Sequence, residues 1–407
     1  LADEWFSHTD STGGAGSDGT SRNTVGEGRA FPNMEYGLQD KEGALSDDII
    51  FSGIANTVPD TTNVTALQVS NWTLNTYRLT IRGDPGHANG THAGIYSQTT
   101  YRLEYDRNIT IENDDLDDVL FEGFQLFNTN AGNSAYRCIE LDGGDTIINR
   151  MICKSDPDGN GINVDGADSA TIINSLIYNP DVSRGTASEG INTAGSPTVL
   201  IYNTTVHFFD DGIDDHGGTV TCINCCVFEC DVDFGDVDTV DHCASDDDTG
   251  TNSQQLDTTN RYENEMTDID NEIYTIPGIG SSLYNTGEDL SGTVTDSIDP
   301  DIERPQAITF DISCFEFEVG PTDITLSIDA DTEITTADLT AGIIFDLAID
   351  ADTEITTADL TAGIIFDLAI DADTEITTAD LTAGIIFDLA IDADTEITTA
   401  DLTAGII

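Results

Sequence analysis

The chain has 407 residues, enough for two or three domains of roughly 100–200 residues each and for a sizeable core. Seventy-seven Asp and Glu stand against 13 Lys and Arg, a formal net charge of -64, which excludes nucleic-acid phosphates and anionic membranes as partners because both demand positive charge in exchange for released counterions. Hydrophobic residues at 38%, with 16 Phe and 11 Tyr, exclude wholesale disorder, so the acidity belongs to a folded surface whose natural partners are cations.

The first residue is Leu1 rather than Met, and a processed or truncated product is expected. Residues 1–46 read as an N-terminal loop or cap segment. No run of about 18 apolar residues follows, so no membrane span is expected. From residue 47 to about 320 a degenerate repeat emerges. Gly123–Phe127, Asn149–Cys153, Asn174–Tyr178, Asn203–His207 and Asn224–Phe228 align as a turn-forming residue followed three positions later by an aliphatic one. A companion landmark accompanies each copy: Cys138-Ile-Glu-Leu, Gly161-Ile-Asn-Val, Gly190-Ile-Asn-Thr and Gly212-Ile-Asp-Asp. The Asn positions are separated by 25, 29 and 21 residues, so a fixed strand core tolerates variable insertions. That pattern predicts an all-β solenoid, in which inward Ile, Val and Leu stack on the same positions of the next coil and insertions leave from the turns. The expected columns include Ile152, Ile177, Val206 and Val227, with Cys153 aligned to Tyr178, His207 and Phe228, and Cys138 aligned to Gly161, Gly190 and Gly212. At about 4.8 Å per coil, about eight to ten coils make a rod roughly 40–50 Å long.

The segment 47–91 (DDIIFSGIANTVPDTTNVTALQVSNWTLNTYRLTIRGDPGHANGT), the Gly-Ile-Asn coils, CASDDDTGTNSQ at 243–254 and the closing DLSGTVTDSIDPDIERPQAITFDISCFEFE at 289–318 resemble right-handed parallel β-helix proteins of the pectate-lyase-like superfamily. The resemblance spans roughly 270 residues and implies a right-handed parallel β-helix; that superfamily holds lyases, hydrolases and phage tailspikes, so it selects no reaction.

Residues 321–407 form a second architecture. Units 324–344, 345–365, 366–386 and 387–407 repeat with a period of 21, and the last three are identical. The array stops at a repeat boundary, and a longer array is expected. Leu339, Ala341, Ile343, Phe345, Leu347 and Ile349 share one parity, a strand signal, although Leu339, Ile343 and Leu347 also fit a helix. Gly342 and the Thr-rich TEITTADLT stretch favour short strands, with Asp-Ala-Asp as the turn.

Several residue groups can carry chemistry. Asp210, Asp211, Asp214 and Asp215, with His216, form an acidic constellation that could supply the paired carboxylates of a glycosidase. Trp5, Trp72, Tyr101 and Tyr105 could serve as stacking platforms for neutral glycans or, as single aromatics, pack in the core, whereas a lyase lacks its base, since only Arg184, Arg261 and Arg304 follow Lys154. No cofactor is expected, with calcium the one candidate: the Asp-x-Asp-x-Glu turns Asp329, Asp331, Glu333; Asp350, Asp352, Glu354; and Asp371, Asp373, Glu375 could hold it or stand as solvated carboxylates. Each identical unit carries a net charge of -5, so cations or concentrated salt must screen the stack, and a saline or marine habitat fits this surface. Cys222, Cys225, Cys226 and Cys230 read either as a zinc cluster or as ordinary stacking residues, and Cys222 could bridge to Cys230 or to Cys243 of an adjacent coil. Asn63, Asn71, Asn89, Asn108 and Asn203 head glycosylation sequons. The expected function is an extracellular, cell-surface or virion-associated fibre that self-assembles by strand addition, a mechanical part rather than a catalyst; the alternative is a secreted carbohydrate-binding or carbohydrate-active β-helix.

Overall fold

The computed structural model divides into two units, Leu1–Glu318 and Val319–Ile407. It describes residues 3–317 apart from 9–10, 12–18, 23–29, 55–58, 61–66, 106–108, 130–135, 156–157, 181–187, 248, 258–261, 263, 279, 301, 303 and 305–309, and the backbone of 325–404 apart from 331–332, 352–353, 373–374 and 394–395.

Three all-parallel sheets of nine, eight and seven strands build the first unit. The chain visits them in rotation. After Asp145–Asn149 in the first sheet it enters the second at Ile152–Ser155 and the third at Asn160–Asp165, then returns to the first at Ser169–Ile173. Each of these strands pairs with its counterparts one circuit earlier and later, which makes the unit a parallel β-helix. The strand Asp3–His8 pairs with Ile49–Ile54 and is the first strand of the first sheet, so the segment before residue 47 contributes to the helix itself. It also carries the short helix Met34–Lys41, capped by the Asn33 side chain. Connections from the second sheet to the third, at 129–136, 156–159, 179–188 and 208–210, absorb the variable spacing of the sequence repeat.

Alternation along each strand sends every second side chain inward. In the first sheet the register stacks Trp5, Phe51, Ile81, Phe121, Ile148, Ile172, Ile201, Cys222 and Val240. In the third it stacks Ile111, Ile139, Ile162, Ile191, Ile213 and Phe234. The second sheet contributes Leu126, Cys153, Ile177, Val206 and Val227. Burying one such aliphatic side chain is worth about 1.5–3 kcal/mol, and no single coil can do so alone.

That second-sheet column corrects the expected one by a residue. Ile152 pairs with Leu176, and Cys153, not Ile152, lies beside Ile177, while Lys154 takes the position of Tyr178, His207 and Phe228. The slip starts at the corner. Arg150 (φ 54°) rather than Asn149 adopts the left-handed conformation that Asn174, Asn203 and Asn224 adopt in later coils, and Asn149 remains in its strand. Asn is favoured at such corners because its short polar side chain tolerates positive φ. The alignment of Cys138 with Gly161, Gly190 and Gly212 follows from the register of the third sheet.

The outward side chains of the second sheet are also buried. Ile152, Leu176, Tyr178, Cys226 and Phe228 pack under residues from 256–315, among them Tyr262, Met266, Tyr274, Ile298 and Phe315. Lys154 Nζ lies 2.6 Å from Glu272, which also accepts from Tyr178 Oη at 2.6 Å. Arg304, fully buried at its side chain, donates to the carbonyls of Asp311 and Ser313 and lies 3.5 Å from Glu316. One of the few basic residues after Lys154 thus anchors the closing segment.

In the second unit, Glu333–Ala351, Glu354–Ala372 and Glu375–Ala393 are strands of 19 residues, flanked by Thr325–Ala330 and Glu396–Ala404 in one parallel five-stranded sheet. Strand therefore displaces the competing helical reading, and it runs through the first two residues of Asp350-Ala-Asp, so that triplet as a whole is not the turn. Glu333 pairs with Glu354, only three residues beyond Ala351, so the ends of the strand Glu333–Ala351 lie within about 16 Å of each other. Laid straight, 19 residues would reach about 60 Å. Each strand must therefore bend round into one coil. The ladder skips Ala337, Gly342 and Phe345 and their equivalents in the next unit, which places the bends there. Register is exact by residue type: Asp346 on Asp367, Leu347 on Leu368, Ile349 on Ile370.

Candidate functional site

The outward face of the third sheet concentrates the polar residues. Glu112, Glu140, Asn163, Asn192 and Asp214 occupy one register line on successive coils, each adjoining an inward Ile. Asn163 donates to Glu140 at 2.7 Å, and Arg137 pairs with Glu140 from the same strand. Burial pushes the Glu140 carboxyl up to about 7, against the opposing pull of Arg137 and Asn163.

At the later coils this line meets the acidic constellation. Glu189 and Asp211 are register partners in the strands Glu189–Ala194 and Asp211–Asp215. His216 Nε2 lies 3.1 Å from Asp214 Oδ2 and 3.4 Å from Glu189 Oε1, so an imidazole from the end of one strand bridges carboxylates of two coils. Asn160 donates to Glu189 Oε2 at 2.9 Å and accepts from the Glu189 amide, fixing the carboxylate. Asp214 rests on Gly235 in the next coil, where a Cβ would fall 2.3 Å from Asp214 Oδ1. Burial raises the Asp211 pKa, and Asp214, Asp210 and Glu189 raise it further. Asp211 thus holds its proton more readily than a free carboxyl.

The structure separates the four sequence-nominated acids by role. Asp211 and Asp214 belong to the cluster. Asp215 accepts from Thr193 Oγ1 at 2.6 Å and from the Gly217 amide at 2.8 Å, which makes it a turn residue. Asp210 precedes the strand, its amide held by Ser188 Oγ and its carbonyl accepting from the Asp231 and Val232 amides. Glu189 escaped the sequence reading because it joins the cluster from the preceding coil, across a variable loop. Chemically, Glu189, Asp214 and His216 offer three ligand atoms within 4.8 Å of one another, a spacing suited to a divalent cation. Asp241, His242 and Glu288, and Glu140, Asp142 and Asp165, make two further trios of this kind.

Other nominated residues sit elsewhere. Cys225 belongs to the interior core and Cys226 to the outer cluster on the opposite face of the second sheet, so Cys222, Cys225, Cys226 and Cys230 do not converge on one ion and the zinc reading falls. All eight cysteines are reduced in this structure, with the Cys225 amide 3.4 Å from Cys243 Sγ in the adjacent coil. Trp72, Tyr101 and Tyr105 are buried and Trp5 stacks on Phe51, so these aromatics are core residues rather than glycan platforms. Asn203 is fully buried, which removes it as a glycan acceptor in the folded protein. Asn71 is exposed, Asn89 half-buried, and Asn63 and Asn108 lie outside the described residues. Of the nominated calcium turns, Asp331, Asp352 and Asp373 also lie outside them; the register places Asp329, Asp350 and Asp371 in one line and Glu333, Glu354 and Glu375 in another. No helix among the described residues is long and apolar enough to cross a membrane.

Comparison with family models, with curated proteins and with solved structures finds no match.

Proposed function

We propose that this is an extracellular, cell-surface or virion-associated structural fibre protein, with the β-helix as a rigid body of the pectate-lyase-like kind and the 21-residue coils as a stalk or connector. One observation carries the reading: successive identical units lie residue on like residue, so each unit presents the same edge it accepts. Such an array grows by repetition, and an edge of that kind can take a strand from a second copy. The register also aligns Asp346 with Asp367 and Asp350 with Asp371, so like charges recur at about 4.8 Å and assembly needs calcium or high salt to screen them. Negative-stain microscopy and sedimentation of the full chain in molar salt with millimolar calcium are expected to show elongated particles and head-to-tail oligomers. Compact monomers alone under those conditions would refute the fibre.

A second reading is favoured by the cluster of Glu189, Asp211, Asp214 and His216: a secreted carbohydrate-active β-helix, with Asp211 as proton donor and Asp214 as the second carboxyl group. Release of reducing sugar from a panel of neutral glycans, lost in Asp214→Asn, is its expected signature. No release from any glycan by the native chain removes it.

A further inference from the structure

Gly161, Gly190 and Gly212 each face an aliphatic side chain of the second sheet. A Cβ on them would fall 2.3 Å from Ile177 Cγ2, Val206 Cγ1 and Val227 Cγ1 respectively. The column has no space for two side chains of that combined size. In the coil before these, the register puts Cys138 on the glycine line and Cys153 on the Ile–Val–Val line. A small residue has become larger and the large one smaller, and both changes gave cysteine. Since a methyl carbon lies about 1.5 Å from its Cβ, the two Cβ positions in this arrangement are separated by no more than about 3.8 Å, so two cysteines there lie within reach of a disulfide, whose Cβ atoms stand roughly 3.5–4.5 Å apart.

We propose that Cys138 and Cys153 form a disulfide that ties the third sheet to the second across the interior of one coil. Both residues are fully buried, and Cys138 Sγ is 3.3 Å from the carbonyl of Lys154, the neighbour of Cys153. Formation needs a small-molecule disulfide such as oxidised glutathione. The thiolate of one cysteine attacks it, forming a mixed disulfide and expelling one glutathione thiolate; the second cysteine thiolate attacks the bound protein sulfur and expels the other. Two protein S–H bonds and one S–S bond are exchanged for one protein S–S bond and two glutathione S–H bonds, with the protons leaving on the glutathiones. Burial pushes the Cys138 thiol up to about 12 and raises Cys153 as well, so the exchange belongs to the stage before the coil closes, while thiolates are still accessible. Cys225 and Cys243 lack this size exchange: they follow Ser175 and Thr204 in a line of small side chains that hydrogen-bond to nearby carbonyls.

The test is peptide mapping. The full chain is refolded in a reduced and oxidised glutathione buffer, alkylated in denaturant without reductant, digested and analysed by mass spectrometry. The expected result is a cross-linked peptide pair holding Cys138 and Cys153, two hydrogens lighter than the free thiols and unalkylated at both. The double variant Cys138→Gly, Cys153→Ile copies the neighbouring coils and is expected to fold with no such link, and its thermal midpoint should respond less to a phosphine reductant than that of the native chain. Alkylation of both residues in the native chain, or linkage of either to a different cysteine, overturns the assignment.

Discussion

Acidifying from about pH 8 to about pH 5 will raise the thermal midpoint of the β-helix by at least about 5 °C. Besides Asp211, burial pushes four carboxyls upward: Asp60 to about 6, Asp311 to about 6, Glu140 to about 7 and Asp233 to about 7. An acid whose folded pKa exceeds its unfolded one stabilises the native state in its protonated form. Its contribution is complete below the unfolded value near 4 and is lost as the pH rises through 6 or 7. Over this window Asp60 and Asp311 supply about 1.5 kcal/mol each, with Glu140 and Asp233 adding to them after allowance for their partial solvation. His92 opposes them. Burial lowers it to about 4, so its contribution is present above the unfolded value near 6.5 and falls by about 2 kcal/mol by pH 5. Asp84 is burdened by burial, but hydrogen bonds from Arg22 and Gly86 hold it below the usual range, so it loses stability only below about pH 4, outside the window. Relief of a net charge of -64 acts in the same direction as the four acids, and a domain of this size moves by about 2–4 °C per kcal/mol. Calorimetry at four pH values checks the slope, and a midpoint that stays level or falls toward pH 5 contradicts it. Asp60→Asn should flatten part of the slope while keeping the acceptor that the Met34 amide and Tyr101 hydroxyl use.

Gly190→Val is expected to be among the most damaging single substitutions in the body, and Gly190→Ala to cost about 2–4 kcal/mol. The added Cβ would lie 2.3 Å from Val206 Cγ1 and 2.5 Å from the Gly212 carbonyl, and a stacked coil has little freedom to recede. The coil of Cys138 shows that a Cβ is tolerated when the facing residue is small. Val206→Ala should therefore rescue part of the loss from Gly190→Ala, with a coupling of at least about 1 kcal/mol in a denaturant double-mutant cycle. Strict additivity of the two changes would mean that the glycine is not there to make room for Val206.

Gly-Ile-Asn recurs because the glycine clears the interior, the Ile fills it and the polar residue faces out, and all three constraints leave a residue type behind. Asn149 misled because it is a good corner residue beside Arg150, and only stacking with Asn174 decides between them. The covering of the second sheet by 256–315 left no periodic mark, since Tyr262 and Tyr274 meet Phe228 and Tyr178 at irregular spacing. Among 77 acidic residues, the local cluster of Asp211, Asp214 and His216 was legible. Its partner Glu189 was not, because adjacency between coils depends on the path of a variable loop.

The repeat unit of the second architecture closes on itself within 21 residues and meets an identical copy above and below. Unequal recombination between such copies would insert or delete whole coils without creating a new junction, changing the reach of the protein in steps of about 4.8 Å. Lineages could then tune distance at the level of DNA copy number while every buried contact stays the same.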